Sequence, residues 1–463
     1  MKNKSKFKFI DLFAGIGGFH HALSALGGEC VMACEFDKHC EKVYKNTFPG
    51  AGSNYKFVNN IREITRVKID EEKSTRSKKA INLLVPDHDI LCGGFPCQPF
   101  SKSGAQKGIK DKTRGTLFFD IMQIIQAKKP RYVFLENVRN LAGPRHTSTW
   151  KTIVQSLTSA GYIVSTNPLI FSPHLLAPSL GGAPQVRDRV YIIGIRKDIH
   201  SDQLFNIENF NQKLRIKKYW NPDKWKIQNL LVQDASIKNI DVYKIKKDEE
   251  MYLEAWNYFV ENFDHDLLPG FPIQAFAWQM KPKIKKDMYD WEKGFLTKNS
   301  TFYRTNKLFL NKFLKMRWGT DKKTVLEFPF SRQILEWQAR RHHPAQKGRS
   351  LRDLVIQFRP SGIRVKPPSY LPALVAITQT SVVGPGLRKN AHTYRKLTPI
   401  EASRLQGIPD KVYETLIVDE RQMYKQLGNA VNVGLVRAVA KIMLGHVDPA
   451  LDLDTNYLFK DFR

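Results

Sequence analysis

Residues 8–19 read KFIDLFAGIGGF. The apolar run Lys8–Leu12 predicts a strand, Gly15, Gly17 and Gly18 a tight turn, and the spacing from Phe19 to Leu26 a helix. The same order recurs downstream. Strands are predicted at Cys30–Phe36, Asp89–Cys92, Tyr132–Glu136 and Val190–Ile195, and helices at Asp37–Phe48, Leu117–Ala127 and Ser148–Ala160, with Gly27 and Gly161 as terminators. Such alternation builds a sheet covered on both faces, so the expected fold class is α/β, with a doubly wound, mostly parallel, Rossmann-like sheet. Ligands of these sheets bind beyond the carboxyl ends of the strands. Glycines there let the backbone approach a ligand, and free amides at the helix start favour an anionic group. His20 stands at the third glycine position of the dinucleotide fingerprint G-x-G-x-x-G, which disfavours hydride transfer.

Beyond Lys197 the rhythm is lost for about two hundred residues, which predicts a second, irregular domain. The 463 residues carry 74 Lys and Arg against 44 Asp and Glu, a net charge of +30 that points to a polyanionic partner. That charge is concentrated: residues 271–394 hold 24 basic and 7 acidic side chains. Thr65–Lys79 is also strongly charged and reads as an exposed loop. No uninterrupted apolar run approaches the roughly 18 to 20 residues of a membrane span, and no signal peptide is evident, so a cytoplasmic location is expected. Cys30, Cys34, Cys40, Cys92 and Cys97 are odd in number and lack paired ligand spacing, so neither a disulfide framework nor a metal site is expected. His20, His21, His342 and His343 read as structural or solvent-facing.

The chemistry centres on DILCGGFPCQPFS, residues 89–101. Cys97 sits between Pro96 and Gln98 in a loop stiffened by prolines and glycines, whereas Cys92 on the strand suits a packed thiol. FLENV ends a later strand with Glu136, and QVRDRV sets Arg187 and Arg189 two apart, a spacing that in a strand turns both guanidinium groups to one face. Glu35, at the end of the second strand, suits ribose hydroxyls. Thiol, carboxyl and paired arginines are what methylation of a pyrimidine at carbon 5 requires. Cys97 would add to carbon 6, and a protonated Glu136, its pKa raised by desolvation, would stabilise ring nitrogen 3. Arg189 would hydrogen-bond the oxygen at ring position 2, and Arg187 would orient the loop or the carboxyl.

FAGIGGF, EFD, GGFPCQPFS, ENV, QVRDR, RKLTPIEASRLQGIP (395–409) and QLGNAVNV (426–433) follow one another across residues 8–196 and again from 395 to 442. In this the chain resembles the DNA cytosine carbon-5 methyltransferases of bacterial restriction-modification systems. The resemblance implies Cys97 as nucleophile, Glu136 as ring-nitrogen partner, and Arg187 and Arg189 as the supporting pair. It implies S-adenosyl-L-methionine as methyl donor, leaving S-adenosyl-L-homocysteine, in a pocket lined by Phe13, Ala14, Gly15, Ile16, Gly17, Gly18, Glu35, Pro96 and Asn429. Where the family usually has an aspartate near the adenine, this chain has Asn60, which accepts a hydrogen bond without charge. Residues 101–114 match a loop that closes over flipped DNA, with Ser103 reaching into the duplex and Arg114 holding the closed state.

The implied organisation is a catalytic domain over 1–196, a target-recognition domain over 197–424 with its basic part at 271–394, and a C-terminal segment over 425–463 that returns to the catalytic domain. Arg340, Arg341, Arg349, Arg352, Arg359 and Arg364 are the candidate contacts to double-stranded DNA. The resemblance further implies a monomer that acts apart from a cognate restriction endonuclease. A tRNA methyltransferase of the same family is the alternative, disfavoured by the long basic insertion. A non-catalytic DNA-binding relative is disfavoured by the intact Cys97, Glu136, Arg187 and Arg189.

Overall fold

The computed structural model describes residues 6–49, 55–71, 74–96, 116–199, 220–339, 350–376, 381–410 and 419–447. The chain forms two compact units, one of Met1–Asn221, Ala373–Ile377 and Ala402–Arg463, the other of Pro222–Pro372 and Thr378–Glu401.

The first unit is built on β1 (Phe7–Leu12), β2 (Gly28–Cys34), β3 (Lys56–Val58), β4 (Ile90–Gly94), β5 (Tyr132–Val138), β6 (Tyr162–Val164), β7 (Leu169–Phe171), the two-residue β8 (Gln185–Val186) and β9 (Arg189–Arg196). Its sheet runs in the order β3-β2-β1-β4-β5-β9-β6, with β7 also paired to β9. The pairs from β3 to β5 are parallel, and β9 runs antiparallel to its neighbours. This is the doubly wound, mostly parallel sheet expected from the alternation of elements.

Covering on both faces explains why β1, β4 and β5 are nearly continuous runs of buried residues. The helices are α1 (Gly18–Ser24), α2 (Lys38–Thr47), α3 (Arg62–Thr65), α4 (Lys78–Leu84), α5 (Thr116–Lys128) and α6 (Thr147–Ser159). Phe118, Ile121, Met122 and Ile125 recur at helical spacing and seat α5 on the core. From β1 the chain steps outward to β2 and β3, then returns to β4 on the other flank of β1. The crevice that this reversal opens lies at the carboxyl ends of the strands.

Residues 65–79 are only partly the exposed loop that their charge suggests. Thr65 and Arg66 are buried, and Asp120 of α5 accepts hydrogen bonds from Thr65 Oγ1 at 2.7 Å and Arg66 Nη2 at 3.5 Å. Further on, Ser77 caps α4 by accepting from Ala80 N.

The C-terminal boundary also falls earlier than 425. Residues 402–410 join the first unit because Gln406 donates to Leu427 O at 2.7 Å and Asn432 to Leu405 O at 2.9 Å. Helix Val433–Val447 packs against α1. The run Glu420–Gly445 is long and apolar enough to cross a membrane, but 78% of its apolar window is buried inside the protein.

The second unit is more regular than the loss of periodicity suggests. It contains a six-stranded sheet and the helices Lys247–Asn262, Asp290–Thr305 and Lys307–Lys315. The sheet escapes a sequence reading because its strands are two to five residues long, too short to show a period. Arg395 and Glu401 of the RKLTPIE stretch are structural here. Arg395 donates two hydrogen bonds to Glu401, at 2.7 and 2.8 Å, and a third to Asp234 at 3.0 Å.

Replacing Asp120 by alanine strands the buried Arg66. The expected cost is about 3–5 kcal/mol, read from the urea unfolding midpoint.

Candidate active site

A cleft of about 710 Å³ opens at the carboxyl ends of β1, β2, β4 and β5. Its wall includes Phe13 and Gly15 after β1, Glu35 to Asp37 after β2, Gly94 to Pro96 at the end of β4, and Glu136 to Val138 at the end of β5. Asn60, Arg187, Arg189 and Asn429 complete the part that matters for chemistry.

One end of the cleft is built by Glu35. Its Oε2 accepts from Gly15 N at 2.8 Å and its Oε1 from Asp37 N at 2.7 Å, so one carboxylate ties the glycine turn to the start of α2. Burial pushes its pKa up, while these amides pull it back. Asp37 caps α2 and is in turn held by Lys425 Nζ at 2.9 Å. Between the two acids, the Phe36 ring is 76% exposed on the cleft wall. A side chain at Gly15 would meet nothing within 4 Å, so that backbone fronts open space.

The other glycine-turn residues do a different job from the expected one. Ala14, Ile16, Gly17 and Gly18 do not line the cleft. Gly17 has a φ of 85° that caps α1, and a Cβ there would strike the Phe48 ring. A Cβ at Gly18 would lie 2.6 Å from Val431. These glycines allow close packing, and Ala14 and Ile16 are buried core. His20 is likewise structural, stacked on Phe48, with Nδ1 2.7 Å from Tyr44 Oη.

Asn60 spends its side-chain oxygen locally, accepting from Arg62 N at 3.0 Å to open α3.

At the opposite end, Glu136 is the partner of Gly94 in the β4 and β5 register, which sets it beside the strand leading to Pro96 and Cys97. Because β9 is antiparallel to β5, its first residue, Arg189, pairs with Val138. Arg189 Nε reaches Glu136 Oε1 at 2.9 Å, and its Nη1 donates to Asp188 O. Burial pushes the Glu136 pKa above the usual range, and Arg189 and Arg187 pull it back only in part. Asn137, which the motif reading passed over, donates to Phe95 O at 3.2 Å and so anchors the segment before Cys97.

Arg187 lies in the break between β8 and β9, so the alternation of a continuous strand does not place it, although it lines the cleft with Arg189 and both cations act on Glu136. Its guanidinium is buried and donates to Leu374 O at 3.0 Å, Gly428 O at 2.8 Å and Ala430 O at 2.9 Å. Burial and the neighbouring Arg189 hold its pKa down to about 9. It thus clamps the turn that presents Asn429 to the cleft.

Cys97, Ser103, Arg114, Arg340, Arg341 and Arg349 lie outside the described residues. Arg352 is exposed and donates to His392 O, whereas Arg359 and Arg364 both bind Glu336. Phe36 and Asn137 adjoin motif residues, a signal the sequence carried. Nothing in the sequence marks Lys425. Among the described residues no cluster of three His, Cys, Asp or Glu could hold a metal ion.

The family model for C-5 cytosine-specific DNA methylase matches residues 7–445. The Type II methyltransferase M.AluI of Cellulosimicrobium cellulans is 36% identical over 95% of this chain and 92% of its own length. M.HhaI of Haemophilus parahaemolyticus is 37% identical over 52% of this chain and 61% of its own. Among solved structures, the S. pombe Dnmt2 methyltransferase superposes with a TM-score of 0.51 at 15% identity, covering 95% of this chain and 98% of its own, a likeness of fold.

Lysine at position 187 cannot span three carbonyls from one planar group. Arg187→Lys is therefore expected to lose about 2–3 kcal/mol of stability, seen in urea unfolding.

Proposed function

The chain belongs to the C-5 cytosine-specific DNA methylase family, and from that premise we propose that Cys97, Glu136 and Arg189 form the reaction centre of a sequence-specific enzyme acting on a flipped-out cytosine. The protein is a DNA cytosine methyltransferase, the modification half of a restriction-modification system. The observation that carries the assignment of residues is the ion pair of the buried Glu136 with the half-buried Arg189 beside Gly94, three residues before Cys97.

The glycine-turn end of the cleft fits S-adenosyl-L-methionine. Gly15 offers an open backbone, Glu35 a half-buried carboxylate suited to ribose hydroxyls, and Phe36 an exposed ring that would stack on adenine. When bound, S-adenosyl-L-methionine supplies an electrophilic methyl group. Glu35, Phe36 and Asn429 would hold it, with Asn60 at the adenine edge.

The reaction follows from the other end. The thiolate of Cys97 adds to carbon 6 of cytosine, and Glu136, whose protonated form burial favours, donates to nitrogen 3. Arg189 has Nη2 left for the oxygen at position 2 after its Nε and Nη1 are engaged. Carbon 5 becomes nucleophilic and would take the methyl group, leaving S-adenosyl-L-homocysteine; its proton then passes to solvent, nitrogen 3 returns its proton to Glu136, and the Cys97 thiolate is expelled. Burial of the pair keeps each hydrogen bond strong at the moment charge develops. Arg187 positions the cleft wall and does not touch the base.

A target in duplex DNA must be rotated out of the stack at a cost of a few kcal/mol, which contacts to the flanking duplex offset. The basic stretch 271–394 supplies them. The enzyme acts as a monomer in the cytoplasm, bound to the chromosome, with a separate cognate endonuclease.

Cys97→Ser is expected to abolish methyl transfer while retaining DNA binding. A duplex containing 5-fluorocytosine should trap the unaltered protein covalently, and normal turnover by the serine variant would refute the assignment. A second test uses pH. Activity requires protonated Glu136, so kcat should fall as pH rises through a pKa above that of ordinary glutamate. Removing the cation of Arg189, which pulls that pKa down, moves the descending limb to higher pH in Arg189→Gln.

A further inference from the structure

In the second unit, β-strands Ile334–Trp337, Val355–Arg359 and Gly362–Lys366 are neighbours in one sheet. Leu335, Trp337, Ile356, Ile363 and Val365 turn into the aromatic core. By alternation, Glu336, Gln357, Arg359 and Arg364 occupy the other face. Glu336 and Arg364 are direct register partners, and Arg359 pairs with Gly362 across a tight hairpin whose tip, Pro360 and Ser361, is exposed. Gly362 closes that hairpin at a φ of 139°, where a Cβ would lie 2.8 Å from Ile334.

One carboxylate organises this face. Glu336 Oε2 accepts from Arg364 Nε at 2.7 Å and from its Nη2 at 2.6 Å. Glu336 Oε1 accepts from Arg359 Nη1 at 3.3 Å and lies 3.5 Å from Ser361 Oγ. A single acid thus holds two arginines, and Lys366 adds a further cation on the same face, its pKa lowered to about 8 by burial with Arg364 and Arg359 contributing. The face keeps a net positive charge although its acid is fully engaged.

We propose that Arg364, held by Glu336 beside Arg359, reads a guanine of the target duplex in the major groove, with Glu336 as its positioning residue. Arg364 is gripped along its Nε and Nη2 edge, which leaves the Nη1 and outer Nη2 hydrogens as a fork. A guanidinium fork matches the O6 and N7 acceptors of guanine. Its orientation is fixed before DNA arrives, so little side-chain freedom is lost on binding. The neighbouring hairpin tip is the exposed edge that a groove can receive.

The inference rests on the DNA methyltransferase reading, and bisulfite sequencing separates the two. Genomic and plasmid DNA from cells expressing the unaltered full-length protein, Arg364→Lys or Glu336→Gln is mapped for methylated cytosines. Absence of methylation with the unaltered protein would defeat the enzyme reading itself. With that protein active at one motif, Arg364→Lys and Glu336→Gln should also methylate motifs in which one guanine is replaced. The preference for cognate over substituted sites should fall about tenfold or more. Lysine keeps the charge, so a phosphate contact or a merely structural ion pair predicts equal changes at every site. An unchanged preference, a uniform loss, or relaxation at a position other than guanine overturns the proposal.

Discussion

The site depends on a carboxyl group placed where water is scarce. Glu136 lies near the end of a central strand whose preceding residues, Tyr132 to Leu135, are core, and desolvation there disfavours its charged form. An isolated buried carboxylate would simply neutralise. The antiparallel course of β9 brings Arg189 alongside, so the group sits between two tendencies, burial raising its pKa and a cation lowering it. A parallel last strand would begin at the opposite edge of the sheet and leave Glu136 without that partner. Strand polarity and acid strength are in this sense one property.

The first unit was legible wherever a strand was long enough to show its character. The turn after β1, the carboxylate of Glu35 and the end of β5 all announce themselves by residue type at a strand boundary. What stayed hidden was hidden for physical reasons. The three-residue strand Lys56–Val58 is too short for a pattern, and the six-stranded sheet of the second unit is assembled from equally brief pieces. The backbone contacts of Arg187 were not legible because it falls in the break between β8 and β9, where the alternation of a continuous strand does not apply. Lys425 reaches Asp37 across nearly four hundred residues, and no local pattern encodes such a contact.

The glycine turn teaches a related lesson about motifs. Of its six residues, Phe13 and Gly15 face the cleft, Gly18 lets α1 approach the segment around Val431, Gly17 makes room for the Phe48 ring, and Ala14 and Ile16 are core. A motif can be retained for two reasons at once, and only geometry divides them. The turn at the end of β1 would lose its shape if Gly18 carried a side chain, although Gly18 touches no part of the cleft.

Two kinds of arginine are at work in this molecule, and their surroundings tell them apart. Arg187 is enclosed, and its two terminal nitrogens meet backbone carbonyls, which ties chain segments far apart in sequence. Arg189 and Arg364 are each anchored on one edge by a glutamate and keep donors in reserve. Rigid anchoring with an unfinished set of hydrogen bonds is costly in a purely structural ion pair, since the remaining donors are partly desolvated for no return. It is economical where a planar acceptor is to be met in a fixed orientation. On that argument Glu136 and Glu336, in separate units and on unrelated strands, solve the same problem: each makes a flexible cation into a rigid one.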